Sequence, residues 1–169
     1  MKLERLVRKA VRLTITMLVL GTLVLSSGCA AMGKGTPKGK LVTLKITSTR
    51  RLNNCGRPVP LVLHYRMVQV TDAAPLAGMK LENVYDRESE MLGGAFVSRG
   101  PDLTIEPGVT RTDAPMQIDP RTRAVVVLGN FCKTRESCFY FAKAVPAKMK
   151  KNLLLDLTAD STCIGPTPH

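Results

Sequence analysis

The chain of 169 residues carries 25 lysines and arginines against 13 acids, a net charge of +12, and is 44% hydrophobic. That length supports one domain with its own core and argues against two. Two histidines, and five cysteines with no CxxC pair, are a poor donor set for a structural zinc site.

Lys2, Arg5, Arg8, Lys9 and Arg12 stand against one acid, Glu4, ahead of the uncharged stretch Leu13–Leu25. This is a basic segment followed by an apolar one, the order of an export signal. At about 13 residues the apolar stretch falls short of the roughly 20 needed to span a bilayer. Residues 1–28 are therefore predicted to be a removed signal peptide. The segment LSSGC, Leu25 to Cys29, resembles the lipobox of bacterial lipoproteins, in which small residues enter a peptidase cleft and the cysteine thiol accepts lipid. The resemblance implies cleavage before Cys29 and transfer of diacylglycerol to its thiol, with palmitate among the acyl chains. Two or three chains at about 0.8 kcal/mol per buried methylene anchor stably. Ala30 follows the cysteine where Asp would favour inner-membrane retention in enteric bacteria, so similarity to that sorting rule implies the outer membrane, on its periplasmic face. Cleavage removes five basic residues and one acid, lowering the charge from +12 to +8. Export leaves little place for a nucleic-acid partner. Lys34, Lys38 and Lys40 suit anionic headgroups near the anchor, at about 1 kcal/mol each, although a solvated linker accounts for them equally well.

Residues 29–40 are rich in Gly, Pro, Lys and small side chains and read as a lipidated, flexible tether. From there Val42, Leu44 and Ile46 alternate with Thr43, Lys45 and Thr47, the period of a half-buried strand. Arg50 to Pro58 is dense in turn formers. It opens into a second strand, in which Leu61, Leu63, Tyr65 and Met67 share a face. Leu81, Val84, Tyr85, Met91 and Leu92 recur at helical spacing until Gly93–Gly94, predicting one short helix over 81–92. Strands are expected at Ala95–Ser98, Asp102–Ile105, Pro115–Ile118, Ala124–Asn130, Cys138–Val145 and Lys151–Ala159, with turns at Pro107–Gly108 and Asp119–Pro120. The pattern is all-β: an antiparallel β-sandwich over residues 41–163 with one inserted helix, followed by a C-terminal tail, 164–169.

Cys55, Cys132, Cys138 and Cys163 form an even set in an oxidising compartment, where three pairings are possible. KTRES reads as a turn between Cys132 and Cys138, which favours that pair and, by elimination, Cys55 with Cys163.

A catalytic set does not assemble. His64 lies mid-strand between Leu63 and Tyr65, and His169 ends the chain, so no base stands beside a nucleophile. Asp86, Glu88 and Glu90 cluster on the predicted helix among basic neighbours as a solvated face, rather than facing each other as glycosidase carboxylates. Gly93–Gly94 fits a helix C-cap better than a phosphate loop. Lys148, Lys150 and Lys151 suit acidic lipid or peptidoglycan, but a charged turn accounts for them more simply. The expectation is a non-catalytic protein without metal or cofactor, presenting loops to a protein partner.

The order of LVTLKITST, a polar loop and GRPVPLVLHYRMVQVTD resembles the amino-terminal half of the type VI secretion lipoproteins known as TssJ. The similarity continues through a helix ending in MLGG, then DLTIEPGVT, then AVVVLGNF before a polar loop, over residues 41 to 160. Val68 stands where the family usually has tyrosine. Cys138, Phe139 and Tyr140 occupy the region of a frequent tryptophan, and the extra cysteines are unusual. The resemblance implies a transthyretin-like sandwich beneath the outer membrane, forming part of the secretion machine's membrane complex. It also implies a partner, the periplasmic domain of the inner-membrane protein TssM, bound through the loop between the first two strands. In this chain that loop comprises Arg50, Arg51, Leu52, Asn53, Asn54, Gly56 and Arg57. The alternatives are an unrelated periplasmic lipoprotein that binds glycan or inhibits an enzyme and, more remotely, a hydrolase.

Overall fold

In the computed structural model, which describes residues 39–149 and 152–168 apart from the side chains of Glu136 and Ser137, the first alternating segment becomes strand β1, Leu41–Ser48. The signal segment, Cys29, the tether through residue 38, Lys150, Lys151 and His169 lie outside the described residues. Val42, Leu44, Ile46 and Ser48 of β1 point inward, as the period of two requires. Strand β2, Leu63–Val70, starts two residues later than its apolar alternation suggests. Pro58 and Pro60 have no amide hydrogen to give a ladder.

The remaining strands are β3 (Phe96–Arg99), β4 (Leu103–Ile105), β5 (Thr110–Thr112), β6 (Met116–Gln117), β7 (Ala124–Asn130), β8 (Tyr140–Ala144), β9 (Leu153–Ala159) and β10 (Ile164–Pro166). One sheet runs β10-β9-β1-β5, with β6 also on β1; the other runs β3-β2-β7-β8, with β4 also on β2. Every pairing is antiparallel except β1 with β9, which run parallel from Val42↔Leu153 to Ser48↔Ala159. Parallel neighbours need a long crossover, and the whole second sheet supplies it. The expected tail is corrected in part, because Ile164–Pro166 closes the edge of β9 and Ile164 is buried.

Strands β2 and β7 form the centre of the second sheet and are covered on both faces. By register, Tyr65, Met67 and Gln69 face the first sheet with Gly129, Val127 and Val125 opposite them. Gly129 has to be glycine, since an added Cβ would stand 2.6 Å from the Phe131 ring. Arg66, Val68 and Val70 face the other way, under the insert that follows β2. That insert contains 3-10 turns at Ala74–Leu76 and Gly93–Ala95 around two helices, α1 (Leu81–Val84) and α2 (Glu88–Leu92). Leu76, Leu81, Val84 and Leu92 are its buried anchors, each contributing roughly 2 kcal/mol by leaving water.

The single helix predicted over 81–92 is thus split, and Arg66 explains the split. This guanidinium is 2% exposed. It donates to Glu88 Oε1 at 3.0 Å and Asp86 Oδ1 at 2.6 Å, its Nε lies 2.7 Å from Asp102 Oδ1, and it stacks 4.1 Å over the Tyr85 ring. Bringing Tyr85, Asp86 and Glu88 onto one cation breaks the helical path, and Asp86 adopts a left-handed φ of 70°. The solvated-face expectation therefore fails for Glu88, which is 2% exposed, and holds for Glu90, which pairs with Arg87 on the surface.

Candidate functional site

Thr49 to Val62 joins the two sheets across one end of the sandwich. Its conformation follows from three left-handed residues, Asn53 (φ 47°), Cys55 (φ 57°) and Gly56 (φ 74°). Asn and Gly adopt this region most readily. Asn53 is 6% exposed and braces three loops. Its Oδ1 accepts from the Cys132 amide at 2.9 Å, its Nδ2 donates to the Val62 carbonyl at 3.0 Å, and its own amide donates to the Asp160 carbonyl at 3.3 Å. Thr49 Oγ1 donates to Asp160 Oδ1 at 2.7 Å, and the Leu61 amide reaches the Leu52 carbonyl at 3.0 Å. Ser48 Oγ donates to the Glu106 carbonyl at 2.5 Å and accepts from the Val109 amide at 2.9 Å, bringing in the β4–β5 loop.

Two disulfides close this end, and they correct the expected pairing. Cys55 bonds to Cys132, and Cys138 to Cys163, rather than Cys132 to Cys138 and Cys55 to Cys163. The reason is the 3-10 turn Glu136–Phe139. It buries Phe139 against Tyr140 and carries Cys138 away from Cys132 towards the β9–β10 loop. Cys132, held by Asn53, is left facing the β1–β2 loop.

Of the seven loop residues singled out by resemblance, Arg50, Arg51, Gly56 and Arg57 are exposed and Asn54 is half-buried. Leu52 is fully buried and Asn53 nearly so, which makes them supports of the loop rather than contact residues. Sequence reasoning missed an apolar component. Val59, Leu61 and Val62 are exposed at 62%, 40% and 40%, and Val109 at 41%. The alternation puts Leu61 on one face of the second strand with Leu63, Tyr65 and Met67, but β2 begins only at Leu63 and Leu61 stays in the loop after Pro58 and Pro60. The signal was the run PVPLV, whose valines and leucine precede any ladder. The basic and apolar parts adjoin: an added Cβ at Gly108 would stand 3.5 Å from Arg50 Cγ, and one at Gly56 would stand 3.5 Å from Lys133 Nζ. The outcome is a braced loop end, a platform that exposes arginines together with apolar side chains, suited to a partner surface that is acidic and partly apolar.

The rest of the molecule offers little chemistry. His64 is exposed on β2. Among the described residues no trio of His, Cys, Asp and Glu is placed to hold a metal, and no helix is long and apolar enough to cross a membrane. Tyr65 donates to Asp113 at 2.8 Å inside the sandwich, and Arg111 Nε reaches Asp113 at 2.6 Å; burial first, then that carboxylate, pushes the phenol pKa well up. This is an inter-sheet bond. At the opposite end, Gln69 accepts from the Asp119 amide at 2.8 Å and from Thr122 Oγ1 at 2.6 Å, and donates to the Gln117 carbonyl at 2.8 Å.

Similarity to known proteins agrees with this architecture. Crystallographic TssJ1 from Pseudomonas aeruginosa superposes with a TM-score of 0.65 at 18% identity, over 78% of this chain and 98% of that one. Serratia marcescens Lip, a membrane-bound component of the type VI secretion system, gives 0.66 at 14%, over 78% and 98%. A chain in a structure described as the type VI secretion protein TssM C-terminal domain from EAEC gives 0.62 at 14%, over 77% and 99%. One in a type VI membrane complex gives 0.65 at 15%, over 78% and 100%. Curated protein sequences provide no match. Residues 40–160 match the model of the type VI secretion lipoproteins (VasD, EvfM, TssJ), and the chain belongs to that family.

Proposed function

We propose that this protein is a non-catalytic subunit of a type VI secretion membrane complex, acylated on Cys29, held at the periplasmic face of the outer membrane, and bound to the periplasmic domain of TssM through the platform at Arg50, Arg51 and Arg57. The observation that carries the reading is the polarity of β1. The chain enters β1 from the tether side at Lys40 and leaves it at Ser48 into the platform. Eight residues at about 3.3 Å each separate the two by roughly 25 Å. An anchor at one end therefore leaves the other facing away from the bilayer. Two structural relatives support the partner, one described by the TssM C-terminal domain and one by the membrane complex.

The exposed arginines steer an acidic partner, and the exposed apolar side chains supply burial that holds it. The decisive experiment is titration calorimetry of the cognate TssM periplasmic fragment against Arg50→Glu/Arg51→Glu/Arg57→Glu. Binding should weaken by at least about 2 kcal/mol, mostly in association rate and salt dependence. Unchanged affinity in a variant that melts like wild type overturns the assignment. Asn53, being a brace, is no probe of contact. Acylation is read separately, by mass spectrometry of the native amino terminus.

A further inference from the structure

We infer that the tether end of the sandwich is itself a membrane-binding surface, which docks on anionic phospholipid headgroups of the leaflet holding the anchor. Two basic clusters remote in sequence meet there. Lys40 Nζ donates to the Ala147 carbonyl at 3.1 Å, drawing the β8–β9 turn with Lys148 onto the start of β1. The Ile118 amide donates to the Lys40 carbonyl at 2.8 Å and the Arg123 amide to the Val70 carbonyl at 2.8 Å, setting Arg121 and Arg123 on the same end. All four side chains are exposed.

Lys40 and Arg123 line a cavity of about 610 Å³ with Asp119, Thr122, Val145 and Ala147. The acids at this end are Asp119, paired with Arg121 at 3.1 Å, and Asp72, which accepts from the Ala74 amide at 2.9 Å. With Arg121 paired to Asp119, Lys40, Arg123 and Lys148 remain against Asp72, and the four cations and two acids together leave a charge of +2 at this end. Lys150 and Lys151 follow Lys148 in the sequence.

The occupant follows from where the chain is tied down. From Cys29 to Gly39 is a reach of at most about 35 Å even fully extended. The surface is thus held within that distance of the bilayer, at a high local concentration from which it can enter the roughly 10 Å over which juxtamembrane cations act on anionic lipid. The acyl anchor at Cys29 belongs to the proposed function and supplies only this confinement.

The test uses unacylated protein, residues 30–169, which contains the entire compact unit Pro37–His169. It is sedimented with vesicles of phosphatidylcholine alone or with phosphatidylglycerol at about one part in three. Wild type should bind the mixed vesicles and not the neutral ones. Arg121→Gln/Lys148→Gln should bind roughly 25-fold more weakly, about fivefold per charge. The charge-keeping pair Arg121→Lys/Lys148→Arg and the far-end variant Arg50→Gln/Arg51→Gln/Arg57→Gln should bind as wild type. Equal binding to both vesicles, none to either, or equal loss in the far-end variant overturns the inference. None of these outcomes bears on acylation or on TssM affinity, which are measured separately.

Discussion

Replacing Asn53 by alanine removes two buried hydrogen bonds, to the Cys132 amide and the Val62 carbonyl, and leaves both partners without their amide. Each net loss is about 1 kcal/mol, with more where the orphaned group cannot reach water. The alanine must also sit at φ 47°, which costs about 1 kcal/mol beyond what asparagine tolerates there. The expected destabilisation is about 3 kcal/mol. For roughly 130 ordered residues the unfolding entropy is near 0.27 kcal/mol/K, so the melting temperature should fall by about 11 °C. Circular dichroism melts of wild type, Asn53→Ala and Asn53→Gly measure it, glycine recovering the backbone part alone. A fall of less than about 4 °C for alanine refutes the brace. So does a variant that melts normally yet loses its partner, since that is the behaviour of a contact residue.

Arg66→Met leaves buried Glu88 with only Arg99, 3.8 Å away, and should cost about 3 kcal/mol in urea unfolding, the lower end of the range for broken buried pairs. Arg66→Met/Glu88→Met should recover most of it, and a single-variant loss under about 1 kcal/mol contradicts the reading. Non-reducing peptide mapping should recover Cys55 with Cys132 and Cys138 with Cys163. On chain-entropy grounds the separations of 77 and 25 residues make them worth about 4.5 and 3.5 kcal/mol, so Cys55→Ser should destabilise more than Cys163→Ser. Tyr65 has its pKa raised from 10.0, so the native state holds a proton that the unfolded chain releases. Its contribution is complete below pH 10 and declines as pH rises above that towards the folded value. In an alkaline titration the Tyr65 phenolate should appear only with unfolding, and Tyr65→Phe should remove one phenolate from the late absorbance step, to which Tyr85, also pushed up by burial, contributes.

Sequence legibility follows how local each cause is. Val42, Leu44 and Ile46, the run Ala124–Asn130, and Leu153, Leu155 and Leu157 announce β1, β7 and β9 because the alternation or burial is written in the residues themselves. Thr110–Thr112 is exposed at all three positions and Ile164–Pro166 is an edge strand; each is a strand only because a neighbour offers a ladder. Tyr85 and Asp86 scan as helix, and only a guanidinium in β2 draws them out of it. The cysteine pairing differs for the same reason, since the end of KTRES enters the 3-10 turn Glu136–Phe139, which separates the flanking thiols. At the candidate site the exposed arginines were legible by type. That Leu52 and Asn53 turn inward depended on Asp160 and Cys132, which the fold brings from 107 and 79 positions away.

The position of β1 joins these observations. It pairs with β9 over seven residues, with β5 over three and with β6 over two, and it runs from the tether side straight into the platform. Under the proposed function, a pull between the anchored amino terminus and a partner at the far end runs along its axis. Ladder hydrogen bonds lie across that axis, so they are loaded together in shear and cannot open one at a time from an end, as they do when a strand is peeled sideways. The parallel partner β9 strengthens the arrangement, because its own far end is tied to the platform through Thr49, Asn53 and Asp160. Cys138–Cys163 ties the following loop covalently to the second sheet's side. Under the proposed function the load falls along that line, and both buried amides, Asn53 at one end and Gln69 at the other, brace the loops where it enters and leaves.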